Sequence, residues 1–136
     1  MRKIDTCVVG ATGLVGQTML KVLEEYDFPV GRLKLLASKR SAGKVCVFKG
    51  KEYTVEELTK TSFEGYGLAL FSAGAGVSQT FGPIAREQGL VVIDNSSAWR
   101  EDPEIPLIVP EVNLEDHRLN KLIANPNCST IQSVLP

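Results

Sequence analysis

The stretch IDTCVVGATGLVGQTMLKVLEEY, residues 4–26, decides the fold. It opens as a short apolar run, turns through Gly10, Gly13 and Gly16 at three-residue spacing, and continues in a helical pattern. Strand, glycine turn and helix in that order are the opening of a βαβ unit. Within the helix Val15, Met19, Val22 and Tyr26 recur at steps of four, three and four. They are the expected core-facing stripe, with Lys21, Glu24 and Glu25 turned to solvent.

The same alternation runs on to the end of the chain. Further strands are expected at LKLLA (33–37), LALFS (68–72), LVVID (90–94), LIV (107–109) and LIA (122–124). Near-continuous apolar runs of this kind suit strands covered on both faces. Residues 77–89 read as a weaker helix, interrupted at Gly82 and Pro83 and closed by Gly89. KVCVFKGKEYTV (44–55) instead alternates about Lys49-Gly50-Lys51 and reads as a hairpin inserted after the second strand. The expectation is an α/β fold, Rossmann-like and doubly wound, with a mostly parallel sheet and a small inserted β-hairpin. Residues 1–136 contain no repeat, low-complexity segment or linker, so they read as one domain. The last segment, STIQSVLP, places Ile131, Val134 and Leu135 at helical spacing and stops as that helix begins.

Fifteen basic against sixteen acidic residues leave a formal charge of -1, so no positive field exists to attract nucleic acid or anionic lipid. No partner of either kind is expected. The start of the chain lacks the apolar stretch of a signal peptide or a membrane span, and a cytoplasmic location follows. Cys7, Cys46 and Cys128 are odd in number and widely spaced, without zinc-type pairs or a disulfide framework, so reduced thiols and no metal site are expected.

Three stretches carry chemistry. In VVGATGLVG, glycines permit a tight turn and close backbone approach, while the helix start offers unpaired N–H groups to a pyrophosphate. Dinucleotide binding is the functional reading and a structural turn the plain one. Thr12 stands where a second glycine is usual. At the end of the second strand, where an NAD site offers Asp or Glu, the chain has Ser38, Lys39, Arg40 and Ser41. Donors and positive charge suit a 2'-phosphate and hence NADP; the alternative is a solvated basic turn.

Cys7 and Cys46 sit in apolar or alternating surroundings and read as packing residues. Cys128 follows a strand and NPN and opens a helix, a place that suits a nucleophile and an oxyanion site alike. A bystander cysteine behind a capped helix start remains an equal reading. His117, the sole histidine, lies among charged residues in NLEDHRL and reads as a surface position. Asn95, Ser96, Ser97 and Arg100 follow the carboxyl end of a strand, where Arg100 could clamp a phosphate or stand as a plain surface arginine.

Taken in order, VVGATGLVGQ, ASKRSAGK, LFSAGAGVSQ, VIDNSSAWR, VPEVN and IANPNCSTIQ closely resemble the amino-terminal part of the aspartate-semialdehyde dehydrogenases. The resemblance implies that Cys128 forms an acyl-thioester, that Arg100 binds the phosphate and that Asn127 positions the acyl group. It implies that Gly10, Ala11, Thr12, Gly13, Leu14 and Val15 hold NADP, with Ser38, Arg40 and Ser41 at the 2'-phosphate. The implied reaction reduces 4-aspartyl phosphate to aspartate 4-semialdehyde with release of phosphate, toward lysine, threonine and methionine.

Members of that family are more than twice as long. Their acid-base histidine, their carboxylate-reading arginine and much of the subunit interface of the homo-oligomer lie in a second, catalytic and dimerisation domain absent from these residues. The 136-residue chain by itself is therefore expected to bind NADP and to turn over little or no substrate. Two rivals stand beside this reading. One is an enzyme like N-acetyl-γ-glutamyl-phosphate reductase, which frames its cysteine differently; the other is a non-catalytic NADP-binding module.

Overall fold

The computed structural model describes residues 1–135, Leu119 by its backbone alone; Pro136, the last residue of the expected terminal helix, lies outside the described residues. In chain order the elements are β1 (Ile4–Val9), α1 (Leu14–Glu25), β2 (Val30–Ala37), β3 (Val45–Phe48), β4 (Lys51–Thr54), β5 (Glu56–Glu57) and β6 (Leu68–Phe71). There follow α2 (Ala75–Glu87), β7 (Val91–Asp94), α3 (Pro110–Asn113), a 3-10 turn (Leu114–Leu119), β8 (Leu122–Ala124) and α4 (Cys128–Val134).

Six strands form one sheet in the order β5-β2-β1-β6-β7-β8, and every neighbouring pair is parallel. Counted along the chain this is the 3-2-1-4-5-6 arrangement of a doubly wound fold, whose order reverses between β1 and β6. The expected α/β fold is thus present, with β3 and β4 forming a separate antiparallel hairpin. Lys49 and Gly50 at its tip have φ of 48° and 74°, the left-handed pair that matches the twist of the flanking strands. β5 escaped the sequence reading because it is two exposed glutamates, a short charged edge that discourages further pairing.

Alternate strand residues face two cores. On the α2 side Cys7, Val9, Phe63, Phe71, Val92 and Leu122 are buried, with the Phe63 and Phe71 rings stacked at 5.9 Å. On the other side Val8, Leu33 and Leu35 pack with Leu20 and Leu23 of α1 and with Cys46 and Phe48 of the hairpin. Each fully buried large side chain contributes about 1.5–3 kcal/mol.

Three expectations about elements require correction. The buried face of α1 is Gly16, Leu20 and Leu23, whereas Val15, Val22 and Tyr26 are exposed and Met19 is partly covered. The first turn of the helix packs so closely on the glycine loop at Gly10 and Ala11 that the smallest residue, Gly16, is the one pressed inward. The second helix begins at Ala75 and runs unbroken through Gly82 and Pro83. Proline in a helix interior costs about 3 kcal/mol. Burial of Ala85 with the packing of Val77, Phe81 and Ile84 on the core offsets that. Residues 107–109 are not a strand. Leu107 makes one parallel bridge to Ala124, and Pro106 and Pro110, lacking N–H groups, prevent a longer ladder.

Asp5 at the start of the sheet accepts the backbone N–H of Arg32 at 2.6 Å and its Nε and Nη2 at 3.0 and 2.9 Å. The Arg32 amide and guanidinium hold the Asp5 carboxyl below its usual 3.8. A depressed carboxylate stabilises the fold above its unfolded value, and that contribution is lost as pH falls through the folded value. Asp5→Asn is therefore expected to lower the urea midpoint at pH 7, and the gap from the parent should narrow below pH 3.8. Paired urea titrations at neutral and acid pH check this.

Candidate active site

Two clusters of candidate functional side chains lie along the carboxyl edge of the sheet. The first is a cleft of about 350 Å³ at the point of strand-order reversal, lined by Gly10, Thr12, Gly13, Ser38, Ser41 and Ser72 among others. Gly10 has φ of 82°, and a Cβ there would lie 2.7 Å from the carbonyl oxygen of Ser72. A Cβ at Gly16 would collide with the carbonyl oxygen of Gly10 and come within 2.9 Å of the Ala11 Cα. Both glycines are required by close approach. Gly13, whose added Cβ would meet only the Gly10 carbonyl at 3.5 Å, instead supplies the N-cap of α1.

No side chain caps α1, and its first turn holds no acidic residue. The same is true of α2, which starts from Gly74 in the small-residue loop after β6. Two helix starts with free backbone donors and positive dipole ends thus belong to the loops at this cleft. Leu14 and Val15 are exposed in the first turn of α1, and Ala11 is fully buried. A negatively charged, extended ligand with polar groups fits this lining: glycines admit its backbone-hugging part and the helix starts neutralise its charge.

Ser38 and Ser41 reach the cleft, while Arg40, between them in sequence, is exposed and does not line it. The turn is closed by the Ser41 N–H on the Ser38 carbonyl at 2.9 Å. No carboxylate ends β2, which closes with Leu36 and Ala37.

The sequence reading missed Gln17. Its amide donates to the Ala11 carbonyl in the glycine loop and to Cys46 Sγ at 3.2 Å in the hairpin. Only its place immediately after the third glycine could have pointed to it.

The second cluster surrounds Arg100 and Cys128. Asp94, fully buried at the end of β7, accepts the Ser96 N–H at 2.7 Å and the Trp99 Nε1–H at 2.8 Å. That carboxylate shapes the loop NSSAWR from within. It, too, was overlooked; the signal was an acidic residue closing an apolar strand, five residues before a tryptophan. Trp99 packs over α2 at Gly82, where an added Cβ would lie 3.4 Å from Trp99 Cζ2.

The loop presents Arg100, whose Nε donates to the Asn125 carbonyl at 3.1 Å and whose Nη2 donates to the Asn95 carbonyl at 2.9 Å. Asn125 in turn donates to Asn95 Oδ1 at 2.8 Å, so the ends of β7 and β8 are stitched together beneath the guanidinium. Among the described residues nothing else engages the guanidinium of Arg100, and its remaining N–H groups can meet an anion. Asn125 begins the short NPN link to Cys128, so the structure ties the arginine to the segment that carries the thiol.

Cys128 is exposed at the first position of α4, while Cys7 and Cys46 are buried. Burial pushes the Cys7 thiol up to about 12. Asn127 is the N-cap of α4: its Oδ1 accepts the Thr130 N–H at 3.0 Å and the Thr130 hydroxyl at 3.3 Å. The Thr130 amide is thereby satisfied, so an oxyanion reading rests on the amides of Cys128 and Ser129. His117 is exposed in the 3-10 turn, its Nδ1 beside the Leu114 carbonyl at 2.6 Å, and shares no hydrogen bond with Cys128.

A parallel 3-2-1-4-5-6 sheet, with a glycine-turn helix opening on the cleft where its order reverses, defines a Rossmann-type dinucleotide-binding domain. The family model for the semialdehyde dehydrogenase NAD-binding domain matches residues 5–120. The chain belongs to that family.

The aspartate-semialdehyde dehydrogenase of Aquifex aeolicus is 61% identical over 132 residues, which cover 94% of this chain and 39% of the relative. The crystal structure of aspartate-semialdehyde dehydrogenase II of Vibrio cholerae complexed with ASA superposes with a TM-score of 0.89 at 48% identity, over 98% of this chain and 45% of that one. The Candida albicans enzyme with NADP gives a TM-score of 0.78 at 26% identity, over 93% and 43%. The chain thus spans about two fifths of the length of its curated relatives. No helix among the described residues is long and apolar enough to cross a membrane.

Proposed function

We propose that the chain is the cofactor-binding, nucleophile-bearing part of an NADP-dependent aspartate-semialdehyde dehydrogenase that reduces 4-aspartyl phosphate to aspartate 4-semialdehyde. The observation that carries this reading is Cys128, exposed at a helix start on the same sheet edge as the glycine cleft and linked to Arg100 through Asn125. The family match and the similarity to aspartate-semialdehyde dehydrogenases support it.

In this reading Cys128 Sγ attacks the carbonyl carbon of the acyl phosphate, and the bond to the phosphate oxygen breaks with its electron pair leaving on phosphate. Splitting the reduction through a thioester replaces one difficult step by two easier ones. Arg100, its orientation held by two carbonyls, meets the departing phosphate with its remaining N–H groups. The amides of Cys128 and Ser129 face the developing oxyanion, and Asn127 keeps them aligned through its cap on Thr130 while its Nδ2 is left for the acyl group.

NADPH, when bound, supplies the hydride that reduces the thioester carbonyl and releases the thiolate. Gly10 and Gly13 with the amides of Leu14 and Val15 would hold its pyrophosphate, alongside Ala11 and Thr12, and Ser38, Arg40 and Ser41 would receive the 2'-phosphate. The absence of a carboxylate at the end of β2 favours NADP over NAD. The acid-base group, the rest of the substrate pocket and the homo-oligomeric interface belong to the longer protein, within a cytoplasmic route to lysine, threonine and methionine.

The test is an assay of NADPH formation from aspartate semialdehyde, NADP and phosphate, using this chain at the full length of its relatives and, in parallel, by itself. Phosphate-dependent turnover at full length and essentially none from the 136-residue chain are expected. Turnover only with the N-acetylglutamate analogue would replace this reading by its nearest rival. NADP binding without turnover at full length would favour the non-catalytic module.

A further inference from the structure

We propose that the cleft between the hairpin tip and the α1–β2 turn is a second ligand site, suited to an anion with a flat aromatic body. The cleft measures about 590 Å³ and is lined by Lys3, Lys49 and Lys51, with Asp27 as its one carboxylate and Phe28 and Tyr53 as apolar wall. Three ammonium groups against one carboxylate leave a positive surplus in a chain whose overall charge is -1.

Backbone geometry concentrates here as well. Among the described residues the two non-glycine residues with positive φ are Asp27 at 46° and Lys49 at 48°, and their side chains form one ion pair. Asn or Gly at position 49 would turn the hairpin with less strain, so the unfavourable backbone goes with what the lysine side chain does. That side chain pins the hairpin tip to the turn after α1 and stands at the cleft, where an incoming anion competes with Asp27 for it. No hydrogen bond or ion pair engages the ammonium groups of Lys3 and Lys51 among the described residues.

The wall is aromatic. Phe48 and Tyr53 meet edge to face with centroids 6.3 Å apart, and Lys49 Nζ lies 5.9 Å from the Phe48 centroid. Cations beside ring faces and edges favour a planar π-body that carries negative charge. The cleft lies on the side of the molecule served by the α1–β2 turn, at the amino end of β2. It shares no lining residue with the dinucleotide cleft.

Amide chemical shifts of the isotope-labelled chain, titrated separately with naphthyl phosphate, naphthol and inorganic phosphate, test the proposal. Naphthyl phosphate should shift the amides of Asp27, Phe28, Lys49, Gly50 and Lys51, and each half-ligand should bind at least about tenfold more weakly. Lys49→Asn keeps a residue compatible with the turn and should weaken naphthyl phosphate by about tenfold while hairpin amide dispersion persists. Lys51→Gln gives a second reading if the first variant perturbs the hairpin. Shifts confined to residues 10–16 and 38–41, unchanged affinity in both variants, or naphthol binding as tightly as its phosphate would each overturn it.

Discussion

Native alkylation of the chain at pH 8 is expected to modify Cys128 at least about a hundredfold faster than Cys7 or Cys46, and all three alike after unfolding. Two physical differences add. Cys128 is exposed, while Cys7 is 0% and Cys46 8% exposed. A thiol raised to about 12, as burial does to Cys7, is ionised to only about one part in ten thousand at pH 8. Cys46 is further enclosed by the Gln17 amide on its sulfur. The check is a time course of iodoacetamide labelling read by peptide mass. If Cys46 were labelled as fast as Cys128, the hairpin would not be packed on α1 as described, and Cys128 would lose its distinction as the reactive thiol.

Arg40→Glu is expected to remove the NADP preference proposed for the cleft. A charge-assisted contact to phosphate contributes about 1.5–3 kcal/mol, and the reversed charge repels the same group, so NADP affinity should fall by at least about thirtyfold. NAD, which carries no 2'-phosphate, should keep its affinity or gain from a carboxylate placed where its ribose hydroxyls arrive. Arg40 is exposed and forms no ion pair among the described residues, so its replacement should leave the melting temperature within a degree or two. Fluorescence titrations with both reduced cofactors give the ratio. An unchanged ratio would assign the 2'-phosphate to Ser38 and Ser41 alone, or show that the cleft holds NAD.

Much of the architecture was legible because parallel strands announce themselves as apolar runs, and because glycines, turn pairs and helix caps mark the joints between them. β1, the hairpin tip at Lys49-Gly50 and the Gly89 turn after α2 all lie where local chemistry places them. What local pattern could not reveal was set by distant neighbours. The inward face of α1 depends on how closely that helix packs on the glycine loop at Gly10 and Ala11, which makes Gly16 and not Val15 the contact residue. The persistence of α2 through Pro83 depends on Trp99 and the core beneath it.

The site divides in the same way. Glycines, serines and the NPNCS segment were visible as motifs, but the partners that orient them were not. Gln17 acts across 29 residues on Cys46, and Arg100 across 25 residues on Asn125. Asp94 acts from a buried position that apolar patterning hides.

The most direct test of the account is to trap the acyl group. The protein, at the full length of its relatives, would be mixed with 4-aspartyl phosphate in the absence of NADPH, quenched in acid and digested for peptide mass mapping. The account predicts an aspartyl adduct on the peptide bearing Cys128, one equivalent of phosphate released in a burst, and loss of both in Cys128→Ala. An adduct on another residue, or turnover that survives Cys128→Ala, would contradict it.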